Sequence, residues 1–215
     1  MNKKGLENLI EQMADAEEVY NNEDTVSWKA MREAETLADT ELLPILKEII
    51  IEKAKPKERR LRSEAYFIYG KILKNSFDKD GCRFFINQLT IENDKYILST
   101  ILDCLTEIKI SEDIDISPII FHTQNEKWLV RYAAIRTLGS CFTQKSREAL
   151  SFYLKQCDEK KYMYEITYAN TAMGKIGTDK DIFLLEQHKD SRIERIKTSA
   201  RTAIEKITIR EQYVN

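Results

Sequence analysis

The feature that most constrains this chain is an internal repeat with a period in the thirties. Residues 130–141 begin with an apolar residue, a basic residue, two variable residues and a small residue, and they end with an apolar residue, a glycine, a variable residue and an apolar residue. Related segments start at residues 61, 97, 165 and 196. The steps between the five starts are 36, 33, 35 and 31 residues. Because such a period has room for two helices, the sequence predicts a stack of two-helix repeats in which each buries its apolar face against the next.

The repeated segment is predicted to be the second helix of each pair, called B below, and a shorter apolar stretch before it supplies helix A. In the first A helix, Leu42, Leu46, Ile49 and Ile50 are spaced as residues on one buried helical face. The predicted A helices are residues 41–53, 81–91, 116–122, 146–156 and 181–188. The expected fold is therefore an all-α superhelix, or α-solenoid, of about five two-helix repeats.

The ends of the chain depart from the repeat. Residues 4–20 and 24–37 are predicted to form two further helices, the second opened by Asp24 and Thr25 as cap candidates. Terminal units of a repeat array must cover an apolar end, so atypical helices are expected there. We expect a single domain over residues 1–215, with capping helices at 1–39, repeats at 40–207 and a polar tail that frays at 208–215.

Small residues recur inside the B helices, and they are predicted to have a packing role. Alanine at 65, 134, 169 and 200 would let a neighbouring helix approach closely. Gly70, Gly139 and Gly174 come near the end of their helices, where glycine eases either close packing or a C-terminal turn.

Composition limits the compartment and the chemistry. The charged fraction is 33%, no apolar stretch follows the N-terminal lysines, and the run Ile49-Ile50-Ile51 is far too short to cross a bilayer. The four cysteines form no CxxC pair, which favours small buried side chains over a redox or metal site. A cytoplasmic protein without a cofactor is expected.

Two segments of the repeat resemble those of a known family. Residues 128–139 and 169–176 resemble HEAT or HEAT-like (armadillo-type) repeats, and the pattern covers approximately residues 40–207. The resemblance implies a curved superhelix whose B helices line a concave face that binds proteins, peptides or sometimes nucleic acid. It does not imply one function.

Enzymes with HEAT-like folds require residues that are mostly missing here. Those that resemble di-iron hydroxylases need several His-Glu pairs, whereas His122 and His188 are the two histidines and neither precedes Glu. Alkylpurine DNA glycosylases use aromatic residues, a carboxylate and an Arg on the concave face. Trp128, Arg131 and Arg136 superficially suit them, but no Trp-Asp combination lies on the preceding B helix. A DNA-binding protein or such a glycosylase stays the alternative.

Helical periodicity predicts which side chains line the concave face. If the apolar positions face the core, the third, seventh and eleventh positions of each B segment share the opposite face, since residues four apart stack along a helix. The candidate binding residues among them are Phe67, Asp103, Glu107, Tyr132 and Arg136. The five sets are Ser63, Phe67 and Lys71; Ser99, Asp103 and Glu107; Tyr132, Arg136 and Ser140; Thr167, Thr171 and Lys175; and Thr198, Thr202 and Lys206.

A basic run precedes the first B helix. Lys57, Arg59, Arg60 and Arg62 could form a patch for phosphate or an acidic partner, or could be a solvated loop and helix start. Pro56 favours a loop before Arg59.

These features favour a polypeptide partner over nucleic acid. The formal net charge is −2, and Asp103 and Glu107 place carboxylates in the middle of the predicted face, where they would repel a phosphate backbone. Exposed aromatic and Arg side chains are typical of protein interfaces. The predicted function is a non-catalytic protein-interaction module, such as an adaptor, a scaffold or an immunity-type inhibitor that masks a toxin, with no membrane partner.

Overall fold

The computed structural model describes residues 1–15 and 25–213. In this part of the chain the regular elements are helical, and an isolated bridge joins Ile110 and Cys141. The chain divides into two compact units, Met1–Cys104 and Leu105–Asn215. The α-helices are α1 (Lys3–Met13), α2 (Val26–Thr36), α3 (Leu42–Glu52), α4 (Arg59–Asn75), α5 (Lys79–Gln88), α6 (Lys95–Leu105), α7 (Ser117–His122), α8 (Trp128–Leu138), α9 (Gln144–Leu154), α10 (Met163–Ile176), α11 (Ile182–Glu186) and α12 (Glu194–Gln212).

The predicted alternation of A and B helices is confirmed. Helices α3, α5, α7, α9 and α11 fall on the five predicted A segments, and α4, α6, α8, α10 and α12 fall on the five B segments. The last B helix continues to Gln212, into the segment predicted to fray, and residues 214 and 215 lie outside the described residues. The division into cap, repeats and tail stays a prediction.

The N-terminal helices also form. Helix α1 buries Leu6, Leu9, Ile10 and Met13, which share one face of the helix. The rest of the predicted first helix, through residue 20, lies mostly outside the described residues, and so does the cap candidate Asp24. Thr25 caps α2, because its hydroxyl oxygen accepts a hydrogen bond from the Trp28 backbone N–H at 3.1 Å.

Polar side chains in the loops set where later helices begin. Thr143 accepts the Ser146 backbone N–H at 3.1 Å and so starts α9. Asp94 accepts the N–H groups of Tyr96 and Ile97 at the start of α6. Each cap satisfies backbone donors that have no partner within the helix.

The B-helix glycines are required for close packing, and all have negative φ. A Cβ built on Gly70 would lie 2.5 Å from the Cβ of Cys104, one on Gly139 would lie 3.0 Å from the Cα of Ala172, and one on Gly174 would lie 2.9 Å from the Cα of Ala203. Counted from the start of each B segment, the glycine is the tenth residue, and the residue that it meets is the eighth residue of the next B segment. The register inferred from sequence therefore holds inside each unit, and of the two roles predicted for these glycines the structure shows close packing.

Candidate binding surface

Four aromatic rings form a cluster on the B helices of the second unit. Tyr132 of α8 is the centre, with ring centroids 5.7 Å from Trp128, 5.5 Å from Tyr164 and 5.5 Å from Tyr168. Trp128 and Tyr164 are 61% and 39% exposed, so the cluster is open to solvent although its members are in contact. Burial raises the pKa of the Tyr132 phenol, and the nearby Glu165 carboxylate adds to the rise. The phenol therefore stays neutral and can donate a hydrogen bond at physiological pH.

Guanidinium groups lie over the three tyrosine rings. Arg195 of α12 lies 5.1 Å from the Tyr164 centroid, Arg136 lies 5.7 Å from that of Tyr168, and Arg131 lies 5.2 Å from that of Tyr132. Such contacts hold a planar cation in place without neutralising its charge. We call Trp128, Tyr132, Tyr164, Tyr168, Arg136 and Arg195 the ring surface.

Arg131 is tied into the fold rather than offered to a ligand. Its Nε donates to the Glu165 carboxylate at 2.9 Å, and its Nη1 donates to the carbonyls of Asn125 and Glu126. The Glu165 side chain is 7% exposed. Of the two arginines that superficially suit a glycosylase, Arg131 therefore forms a structural ion pair and Arg136 contacts an aromatic ring.

A groove between α10 and α12 adjoins the ring surface. It has a volume of about 400 Å³, and Arg195 is shared between the groove and the rings. Glu194 contributes the groove's carboxylate, which is bonded to Lys197 and Thr198. The lining residues are Thr171, Glu194, Arg195, Thr198, Ser199, Thr202, Ala203 and Lys206. Thr171, Thr198, Thr202 and Lys206 were predicted to share this face.

A second cavity of about 480 Å³ lies near the C-terminal ends of the same B helices. Lys109, Lys175, Lys206 and Arg210 line it together with Glu107. Arg210 donates hydrogen bonds to the carbonyls of Gly174, Lys175 and Gly177, which anchors α12 to the end of α10. Glu107 therefore shares this cavity with four cationic side chains.

Of the five candidate binding residues, Phe67 and Asp103 lie in the first unit. Phe67 is half-buried, with the Lys71 amine 5.1 Å from its ring centroid. Asp103 is exposed and accepts a hydrogen bond from Ser99 at 3.4 Å. The structure thus brings Tyr132 and Arg136 into one cluster, and it places Phe67 and Asp103 in separate contacts.

The basic run of the first unit divides into exposed and buried members. Lys57, Arg59 and Arg60 are exposed, with Arg59 over the Tyr96 ring and Arg60 donating to the Asp15 carbonyl. Arg62 is buried: its Nε donates to Glu92 at 3.0 Å and its Nη1 to the Lys53 carbonyl at 2.6 Å. This is the same arrangement that Arg131 makes with Glu165, and both arginines occupy the second position of their B segments.

Cysteine and histidine side chains have structural surroundings. Cys82, Cys104 and Cys141 are buried, and Cys157 is exposed. His188 is buried between the Glu159 carboxylate and the Leu154 carbonyl, each 2.9 Å from a ring nitrogen. Within residues 1–15 and 25–213, no three His, Cys, Asp or Glu residues form a group that could hold a metal ion. The helices in those ranges also include none with the length and apolar character needed to span a bilayer.

Sequence periodicity missed most of the ring surface. The third, seventh and eleventh positions include Tyr132 and Arg136 but leave out Trp128, Tyr164, Tyr168 and Arg195. The missing signal was local: Trp128 precedes Tyr132 by four residues and Tyr164 precedes Tyr168 by four, so each pair shares a helix face.

The arrangement of paired helices is that of an armadillo/HEAT-like repeat fold, and solved structures support this. A designed armadillo repeat protein matches with a TM-score of 0.52 and 12% identity over 94% of this chain and 99% of its own. The crystal structure of an engineered protein matches with a TM-score of 0.50 and 14% identity over 97% of this chain and 98% of its own. Human deoxyhypusine hydroxylase in complex with glycerol reaches a TM-score of 0.42 at 12% identity, covering 96% of this chain and 97% of its own, a similarity too low to bear on function.

No protein-family model matches the sequence, and no curated protein matches it. At these identities the structural matches define the fold alone.

Proposed function

We propose that this chain is a non-catalytic protein-interaction module, and that the ring surface is where its polypeptide partner binds. Such a module acts as an adaptor, a scaffold or an immunity-type inhibitor. The observation that carries the proposal is the solvent-open cluster around Tyr132 with Arg136 and Arg195 lying over its rings. Tyr, Trp and Arg are the side chains most enriched among residues that dominate binding energy at protein interfaces.

The ring surface is also built on helices and on contacts between its own rings, which favours binding with a small loss of entropy. Its aromatic residues come from helices α8 and α10, and Tyr132 packs against a ring of each helix. Preorganised aromatic side chains give up little conformational freedom on binding.

Nucleic acid fits this surface less well. Bases stack on free aromatic faces, whereas Tyr132, Tyr164 and Tyr168 each have a guanidinium over the ring. The formal net charge of −2 also gives no overall attraction to a phosphate backbone.

Affinity capture from native lysate with paired variants tests the proposal. The full chain, Tyr132→Ala and Phe121→Ala are immobilised, and co-purifying proteins are quantified by mass spectrometry. Phe121 is a matched control, because it is an aromatic residue 76% exposed on the A helix α7 of the same unit. We expect a protein retained by the full chain and by Phe121→Ala but lost from Tyr132→Ala. Equal retention by all three, or recovery of nucleic acid alone, would contradict the proposal.

A further inference from the structure

The second unit has cations in and beside the α10–α12 groove that form no ion pair in the described part of the chain. Within residues 1–15 and 25–213, neither Arg195 nor Lys206 forms an ion pair, and the same holds for Lys175 at the end of α10. The groove's own carboxylate, Glu194, is already paired with Lys197. A positive excess therefore remains on this face of the second unit, although the whole chain is slightly acidic.

Arg195 is held so that its donors stay available. The Arg195 guanidinium carbon lies over the Tyr164 ring, 5.1 Å from the ring centroid. A cation–π contact leaves the N–H donors of the guanidinium unused, so they can still meet a carboxylate in a bidentate manner.

The groove hydroxyls favour a peptide backbone. Thr171 donates its hydroxyl hydrogen to the Thr167 carbonyl at 3.0 Å, and Thr198 donates its own to the Glu194 carboxylate at 3.1 Å. Their oxygens line the groove with lone pairs that can accept hydrogen bonds. A peptide backbone offers N–H donors to such acceptors, whereas a nucleic-acid backbone offers phosphate oxygens, which are themselves acceptors.

We propose that the partner segment is an extended acidic peptide. One of its Asp or Glu side chains lies against Arg195, its backbone follows the α10–α12 groove towards Lys206, and an apolar side chain packs on Trp128 and Tyr132. This inference rests on the proposed function and names the chemistry of the partner.

Trp128 provides a direct signal for the test. The chain has two tryptophans, and replacing the other with phenylalanine (Trp28→Phe) leaves Trp128 as the reporter. A phage-displayed library of random peptides about 12 residues long, about 40 Å when extended, is selected on the full chain. Synthetic versions of the enriched peptides are then titrated against Trp28→Phe and followed by Trp128 fluorescence.

We expect the selected peptides to be rich in Asp and Glu around one apolar residue, and their titration to change Trp128 fluorescence. Arg195→Glu should weaken binding by about 10-fold or more, as for loss of a charged contact at an interface. Lys155→Glu makes the same change of charge at an exposed residue that follows the A helix α9, and should alter affinity by less than about 2-fold. Replacing the peptide's critical Glu with Lys should restore binding to Arg195→Glu.

The outcomes separate the two proposals. Peptides that are basic or uncharged but still depend on Tyr132 would overturn the acidic-peptide inference and leave the proposed function standing. Selected peptides whose affinity is the same for Tyr132→Ala and Arg195→Glu as for the parent would overturn both. Failure to enrich any peptide, together with salt-sensitive binding of oligothymidylate that changes Trp128 fluorescence, would also overturn both and would favour a nucleic-acid site.

Discussion

At the scale of single residues, the position of an arginine in the repeat decides what it does. Arg62 and Arg131 occupy the second position of their B segments, and each binds a carboxylate and a carbonyl of the loop before its own helix. Arg136 and Arg195 lie over tyrosine rings at the surface instead. The first pair joins each helix to its preceding loop and to the next repeat, and the second pair is exposed on the proposed binding surface.

Replacing Arg62 with Gln should lower the free energy of unfolding by about 3 kcal/mol, because it leaves the mostly buried Glu92 carboxylate without its charged partner. Urea denaturation measures the loss. Lys57→Gln is the control, since Lys57 is exposed on the same basic run and its change should stay within about 0.5 kcal/mol.

The double variant Arg62→Gln/Glu92→Gln separates the ion pair from simple loss of packing. With both charges removed, no buried carboxylate is left unpaired, so the double variant should be more stable than Arg62→Gln alone. Equal losses for Arg62→Gln and Lys57→Gln would show that Arg62 belongs to a solvated patch, as the sequence alone allowed.

At the scale of helices, most of the fold was predictable from sequence because its causes are local. Apolar spacing of three and four residues located the helices, and the glycines of the B helices marked close contacts between them. The contact partners were not predicted: Gly139 meets Ala172 and Gly174 meets Ala203, at equivalent positions of successive B segments.

The candidate surface was less predictable because several of its contacts join different helices. Arg195 and Tyr164 are 31 residues apart and meet only when α10 and α12 pack together. Likewise, nothing in the order of residues 57–62 shows that Arg62 turns inward to Glu92 while Lys57 stays in solvent. Such pairings depend on how helices dock, which periodicity within one helix does not report.

Close helix packing predicts opposite effects for two glycine-to-alanine changes. Gly174→Ala places a Cβ 2.9 Å from the Ala203 Cα, so α10 and α12 must separate, and we expect a loss of about 1–3 kcal/mol. Gly5→Ala meets the flexible Met1 side chain at 2.9 Å near the chain end, and the higher helix propensity of alanine should stabilise α1 by up to about 1 kcal/mol. Thermal denaturation followed by circular dichroism measures both changes. A stabilising Gly174→Ala would mean that the two helices do not pack this closely.

At the scale of the whole molecule, the two compact units repeat one packing scheme. The contact between tenth and eighth positions occurs in Met1–Cys104 at Gly70 and in Leu105–Asn215 at Gly139 and Gly174. The arginine–carboxylate clamp likewise occurs once in each, at Arg62 and at Arg131. Because repeat proteins are stabilised by contacts within repeats and between neighbours, each unit carries its own set of these contacts.

The first unit, in addition, buries ionisable groups that should make its stability sensitive to alkaline pH. Tyr66 and Tyr69 pack on Phe85, and burial raises the pKa of both phenols. Burial also raises the pKa of the neighbouring Cys82 thiol from 9.0 to about 12. All three groups are acids that are neutral when protonated, so the folded state keeps protons that the unfolded chain releases as pH rises above 9.

The free energy of unfolding should therefore be insensitive to these groups below pH 9 and should fall between pH 9 and pH 12. The slope approaches about 1.4 kcal/mol per pH unit for each group ionised only in the unfolded state. Urea denaturation at pH 7.5, 9.0 and 10.5 measures the fall, and the variant Tyr66→Phe/Cys82→Ala should show a shallower dependence, since two of the three groups no longer titrate. If the parent and the variant lost stability with the same slope, these buried side chains would not be the cause, and the surroundings of Tyr66, Tyr69 and Cys82 would have to be open to water.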